Sequence, residues 1–150
     1  MNRHGFLRGY GRGSERIVRG WRVYCSNRNR NAGCGRTYGI ELALHLYRRT
    51  ATADQVWEFL RSVLGGSGIR AAWKAVAPGF CPSNGYKTWG AFIRNQSPIR
   101  SVLHRLARPL GDSITDPSLQ LISHLMDAFG ASASPVFSFQ LACQQAFLPL

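Results

Sequence analysis

Two cysteines near the N-terminus have the surroundings of a metal-binding knuckle. Cys25 ends a strand-like segment, and Cys34 lies in a Gly-Cys-Gly-Arg-Thr-Tyr turn. Glycines beside a cysteine allow positive φ and let backbone N–H groups face a thiolate, as in zinc ribbons. Eight residues separate the two cysteines, more than the two to four of a usual knuckle, and tetrahedral zinc needs four ligands. We therefore predict an incomplete zinc site at Cys25 and Cys34, with His4 as a candidate third ligand; the alternative is a cysteine pair that only stabilises a turn.

The other reactive side chains do not form a catalytic set. The seven acidic residues are scattered, and none of them makes a two-metal carboxylate cluster. No histidine lies in the sequence context of a serine or cysteine nucleophile, and the glycine-rich stretch at 65–68 lacks the lysine of a phosphate-binding loop. We predict that the chain is not an enzyme and that Cys81 and Cys143 are buried small residues.

The net charge of +12 is unevenly distributed along the chain. Residues 1–50 contain eleven arginines against two glutamates, and residues 51–110 contain eight basic residues against two acidic ones. Residues 111–150 contain three aspartates and no lysine or arginine. This segregation predicts that the basic part of the chain, 1–110, binds a polyanion. The acidic, apolar rear of the chain, 111–150, is predicted to pack on the rest of the protein or on a partner.

The hydrophobic pattern predicts an α+β chain. Segments 5–10, 17–24 and 36–40 have the composition of short strands, whereas the apolar period becomes helical after residue 51. We predict a small β-ribbon at 1–50, a helix-turn-helix-like helical domain at 51–110 and a helical hairpin at 111–150. Six helix starts follow from capping residues: Thr52, Ser67, Ser83, Ser97-Pro98, Asp116-Pro117 and Ser134-Pro135.

The third predicted helix, 84–95, has the features of a DNA-recognition helix. Asn84 lies at its N-terminal end, and Lys87 and Arg94 are seven residues apart on one face. The preceding turn, 77–82, is longer than in the tight motif, and the alternative is an ordinary helical bundle with a solvated basic face. We expect Lys87 and Arg94 to contribute more to DNA binding than Arg48 and Arg49, which adjoin the domain linker. Phosphate contacts are predicted from Arg19, Arg22, Arg28, Arg30 and Arg36.

Two other functions fit the same residues. The predicted strands place arginines beside Tyr10, Trp21 and Tyr24, a combination that can bind RNA by stacking bases and gripping phosphates. The helices of 117–148 could instead form an interface with another copy of the chain or with a different protein, without direct DNA contact.

Several stretches resemble short bacterial mobile-element proteins, the transposase-associated zinc-ribbon and helix-turn-helix proteins. They are HGFLRGY, VRGWRVYCSNRNRNAGCGRTY, TADQVWEFLRSVL and YKTWGAFIRNQSPIRSVLHRL, followed by FSFQLACQQAFL. The resemblance implies double-stranded DNA as the partner, a transposition partner as a candidate for the interface at 117–148, and no catalytic carboxylate triad on this polypeptide. It also implies a Cys-Pro-x-Cys knuckle before the first strand; none is present, so we expect a start further upstream or a truncated copy.

The sequence predicts neither secretion nor membrane insertion. No apolar run reaches the roughly 18 residues of a membrane span, and residues 1–10 lack the apolar core of a signal peptide. A cytoplasmic location is therefore expected.

Overall fold

The computed structural model describes residues 2–11, 15–27, 32–108, 114–130, 132 and 134–149. Within these ranges, a three-stranded antiparallel sheet precedes five helices, which confirms the predicted α+β class. The strands are β1 (Asn2–Tyr10), β2 (Arg16–Tyr24) and β3 (Thr37–Glu41). The helices are α1 (Ala53–Leu64), α2 (Ile69–Val76), α3 (Ser83–Leu103), α4 (Pro117–Phe129) and α5 (Pro135–Cys143).

The sheet is a meander in which β2 pairs with β1 on one side and with β3 on the other. Phe6, Trp21 and Ile40 lie directly opposite one another on the three strands, so they form one cross-strand row on a single face. Phe6 is 49% exposed and Ile40 is 47% exposed. This face is therefore open, and most buried apolar side chains belong to the helical region instead.

Three predicted helix starts are confirmed by side-chain hydrogen bonds. Gln55 N–H donates to Thr52 Oγ1 (3.3 Å) and Thr52 N–H donates to Gln55 Oε1 (3.0 Å), which is the predicted capping box. Asp116 and Ser134 each accept a hydrogen bond from the backbone N–H three residues later. A proline follows each of them at the first helical turn, where its missing N–H costs nothing.

The predicted helix start at Ser97-Pro98 is wrong, because α3 continues through Pro98 to Leu103. A proline inside a helix costs about 3 kcal/mol, and packing offsets this cost. Ile99 and Leu103 are buried in the helical core, and the Gln96 side chain donates to Ser118 Oγ (2.7 Å) at the start of α4. The helix is thus maintained by contacts with the rest of the fold that local sequence does not reveal.

Two further predicted caps are also wrong. The residues that precede α2 and α3 are Gly68 and Pro82 rather than Ser67 and Ser83, and neither gives a side-chain cap hydrogen bond. The connection between the two helices nevertheless spans residues 77–82, as expected.

One apolar core unites α1, α2, α3, α4, α5 and the segment after α5. The acidic rear of the chain is therefore part of the same core as residues 51–108. The largest fully buried aromatic side chains of this core are Trp73, Phe59, Phe92, Phe139 and Phe147. Among the described residues, no helix combines the length and apolarity needed to cross a bilayer.

Candidate nucleic-acid interface

Arg19 on β2 joins the sheet to the helical region. It is 8% exposed, and its guanidinium donates to the carbonyl oxygens of Leu46 (2.7 Å) and Arg49. Burial lowers the pKa of Arg19, and the carboxylate of Glu41 opposes that change. Because these donors are engaged inside the protein, the prediction that Arg19 contacts phosphate is wrong.

The segment held by Arg19 brings two more arginines to α3. Arg48 and Arg49 line the same pocket as Asn84 and Lys87 at the start of that helix. Arg94 lies nearby: burial is the main cause of the lowered pKa of Arg49, and the positive charge of Arg94 is the second cause. We call Arg48, Arg49, Asn84, Lys87 and Arg94 the α3 basic face.

This arrangement revises the expected ranking of basic residues. Arg48 and Arg49 adjoin the linker between strands and helices, and the sequence therefore predicts a smaller contribution to DNA binding from them than from Lys87 and Arg94. They lie beside Asn84 and Lys87 in space, so the two pairs belong to one positively charged surface. Arg48 also adopts a left-handed backbone conformation, with φ of 53°, which is uncommon outside glycine and asparagine.

The arginines predicted on the ribbon do not all join this surface. Arg22 is exposed and lies opposite a glycine on each neighbouring strand. Arg36 is exposed just before β3. Arg28 and Arg30 lie outside the described residues. Arg22 and Arg36 therefore remain candidates for phosphate contact on the ribbon.

Backbone pairing brings Cys25 and Cys34 together. Cys25 N–H donates to the Arg36 carbonyl and Gly35 N–H donates to the Cys25 carbonyl, both at 2.9 Å. Cys34 N–H then faces Cys25 Sγ at 3.4 Å, the N–H-to-sulfur contact expected of a knuckle. The Tyr38 hydroxyl lies 3.0 Å from Cys34 Sγ and is the main cause of a lowered pKa of that thiol.

The two thiols supply half of the four ligands that structural zinc requires. In the described ranges, no group of three histidine, cysteine or acidic side chains is close enough to hold a metal ion. His4, the candidate third ligand, lies beside Tyr24, with 6.3 Å between the ring centroids. The zinc site stays a prediction, because these residues alone do not complete it.

The other two cysteines differ from expectation. Cys81 is exposed rather than buried. Its sulfur lies 3.2 Å from Ser83 Oγ, which lowers the pKa of the thiol with a smaller contribution from Lys87. Cys143 is half-buried, and burial raises its pKa.

Sequence reasoning missed a cluster of buried polar groups at the junction between sheet and helices. His45 is 4% exposed. Among the described residues, neither its Nδ1 nor the buried Oε2 of Glu41 has a hydrogen-bond partner. The Gln140 amide donates to the carbonyl oxygens of His45 (3.1 Å) and Ala43 (2.6 Å). Burial, with a smaller contribution from the charge of Arg19, lowers the pKa of His45 from 6.5 to about 4.

We expect the stability of the fold to fall when the pH decreases from 6.5 to about 4. In this range the unfolded chain binds a proton at His45 and the native state does not, so acid favours unfolding, by about 3 kcal/mol in total. Urea unfolding at a series of pH values measures the effect. His45→Gln should remove most of this slope, whereas the exposed-site control His104→Gln should keep it. An unchanged slope in His45→Gln would contradict the assignment.

No family model, curated protein or solved structure matches this chain.

Proposed function

We propose that this chain binds double-stranded DNA through the α3 basic face, as a protein of an insertion-type mobile element without strand-transfer chemistry of its own. The observation that carries the proposal is the convergence of four cationic side chains on one surface. Arg48 and Arg49 approach from the segment before α1, and Lys87 and Arg94 come from α3 itself. Phosphate neutralisation by such clusters provides most sequence-independent affinity for DNA.

The environment of α3 supports a recognition role. Lys87 and Arg94 are exposed, while Phe92 and Ala91 are fully buried against the helical core. The helix therefore presents one basic side and one packed side. Asn84 lies at its N-terminal end, where major-groove contacts commonly arise, and an asparagine side chain can read adenine by paired hydrogen bonds.

Binding to a labelled duplex should weaken steeply as salt concentration rises. If the four cations each neutralise one phosphate, the slope of log K against log salt is about −3.6. Lys87→Gln with Arg94→Gln should weaken binding about tenfold or more and reduce the slope by about 2. Fluorescence anisotropy at several salt concentrations measures both quantities.

The matched control removes two arginines beyond the other end of α3. Arg105 and Arg108 are exposed, and Arg105 is 18 positions after Lys87, about 27 Å further along at the rise of an α-helix. Arg105→Gln with Arg108→Gln changes the net charge equally and should have little effect. A salt-independent affinity would contradict DNA binding, and equal losses in both double variants would remove the special role of α3.

A second function is favoured by the open face of the sheet. The Phe6–Trp21–Ile40 row is accessible, and the Arg3 guanidinium lies 5.3 Å from the centre of the Trp21 ring. Such a surface can stack unpaired bases. If single-stranded RNA displaces the duplex at a lower concentration than unlabelled duplex does, the RNA function is the better one. The Lys87 and Arg94 variants would then have little effect on binding.

A further inference from the structure

A cavity of about 230 Å³ lies within the α3 basic face. It opens between the segment before α1 and the start of α3, with Trp73 of α2 in its wall. Its lining residues are Arg48, Arg49, Thr50, Ala51, Trp73, Asn84, Lys87 and Thr88. At roughly 30 Å³ per liquid water, the cavity is large enough for a small polyatomic ion.

The part of the lining that the structure describes is rich in hydrogen-bond donors and carries no negative charge. Arginine, lysine and tryptophan side chains donate hydrogen bonds and cannot accept them. The lining contains four such residues: Arg48, Arg49, Lys87 and Trp73. No aspartate or glutamate is among the described residues that line the cavity. A cation or a hydrogen-bond donor would therefore find few partners here, whereas an anion with several oxygen atoms would find many.

Two of these donors are buried without a partner. Trp73 is 1% exposed, and its indole N–H makes no hydrogen bond to the described residues. The buried Nε of Arg49 likewise makes no hydrogen bond to the described residues. Buried polar groups in native proteins are nearly always paired, so a missing acceptor is the simplest explanation for both.

The cations are held in place although they repel one another. The Arg48 guanidinium lies 5.2 Å from the centre of the Tyr47 ring, and the Arg49 carbonyl accepts from the buried Arg19. Burial and the charge of Arg94 lower the pKa of Arg49, because both disfavour its positive charge in this position. A bound anion would reverse that cost.

We propose that this cavity binds a phosphate group, whose oxygens accept hydrogen bonds from Trp73, Arg49, Arg48 and Lys87. The phosphate can belong to a DNA backbone or to a free phosphate monoester, and both offer the same oxygens. The first source rests on the function proposed above, whereas the second is independent of it. In either case the site fixes one phosphate at the N-terminal end of α3, where the helix dipole also favours negative charge.

The indole N–H resonance of Trp73 is a direct reporter of this site. We would titrate the 15N-labelled protein with adenosine 5′-monophosphate, with adenosine as the control that lacks phosphate, and with a short duplex. Adenosine monophosphate should shift the Trp73 resonance selectively among the four tryptophans, and adenosine should not. Trp73→Phe assigns the resonance and keeps an aromatic ring in the core.

Two variants test the contacts without depending on one substitution. Trp73→Phe should weaken binding of the monophosphate about tenfold, because it removes one donor to a charged acceptor; Trp57→Phe, at another buried tryptophan, should leave it unchanged. Arg48→Gly should also weaken binding about tenfold without loss of stability, since glycine accepts the left-handed backbone at this position.

The outcomes separate this site from the DNA-binding function. A shift with the monophosphate but no duplex binding would support the site and contradict the function. A shift with the duplex alone would support the site with backbone phosphate as its ligand. Duplex binding that leaves the Trp73 resonance and the Trp73→Phe affinity unchanged would overturn the site and leave the function standing. If neither ligand binds, both proposals are wrong.

Discussion

Replacing Arg19 by methionine should lower the free energy of unfolding by about 3 kcal/mol. The substitution keeps the length and apolar stem of the side chain but removes the donors that Leu46 and Arg49 carbonyls accept. It also leaves the partly buried Glu41 carboxylate, whose pKa burial already raises, without the cation that stabilises it. Removing one partner from a buried charged network is costly because the remaining groups stay desolvated.

Arg22→Met on the same strand is the matched control. Arg22 is exposed, so its replacement should change stability by less than about 0.5 kcal/mol. Urea unfolding of both variants at pH 7 gives the comparison. Arg19→Met with Glu41→Gln should recover part of the loss, because the unpaired charge is then gone. Equal stabilities of Arg19→Met and Arg22→Met would show that Arg19 does not hold the sheet on the helices.

The same contact has a consequence for binding. Arg19 anchors the carbonyls on either side of the turn that presents Arg48 and Arg49 to α3. Loss of this anchor should therefore weaken DNA binding even though Arg19 itself contacts no DNA in the proposed complex. Arg19 would act as a positioning residue for the α3 basic face.

Local sequence predicted the parts of the fold that depend on local hydrogen bonds. The starts of α1, α4 and α5 each rest on a side chain that bonds a backbone N–H three residues away. The continuation of α3 past Pro98 rests instead on burial of Ile99 and Leu103 and on the hydrogen bond between Gln96 and Ser118. Such contacts join residues that are distant in sequence, so no capping rule contains them.

The candidate site divides in the same way. Asn84, Lys87 and Arg94 could be grouped from their spacing on one helix, but the addition of Arg48 and Arg49 depends on how the chain enters α1. The burial of Arg19 had no such sequence signal. Its positive charge suggested exposure, whereas the pairing of β1 with β2 passes from Leu7–Gly20 to Arg8–Val18 and so leaves Arg19 without a partner on β1.

Replacing Phe147 by alanine should lower the free energy of unfolding by about 4 kcal/mol. Phe147 follows the last helix, yet it is fully buried, and its ring centroid lies 5.5 Å from that of Phe139 and 6.4 Å from that of Phe92. Its backbone N–H donates to Gln140 Oε1 (3.0 Å). The alanine variant loses these contacts and leaves a cavity between α3 and α5.

Leu141→Ala is the control in α5, because that leucine is 53% exposed and its loss should cost less than about 0.5 kcal/mol. Thermal and urea unfolding distinguish the two variants.

The stabilities of these two variants also test the alternative in which residues 117–148 form an interface with a partner. A large loss for Phe147→Ala means that the apolar side chains of this segment already stabilise the chain's own core. A deletion of residues 111–150 would then unfold the helical region, and so could not report on partner binding. If Phe147→Ala is instead as stable as Leu141→Ala, the rear segment does not secure the core and is free to be an interface.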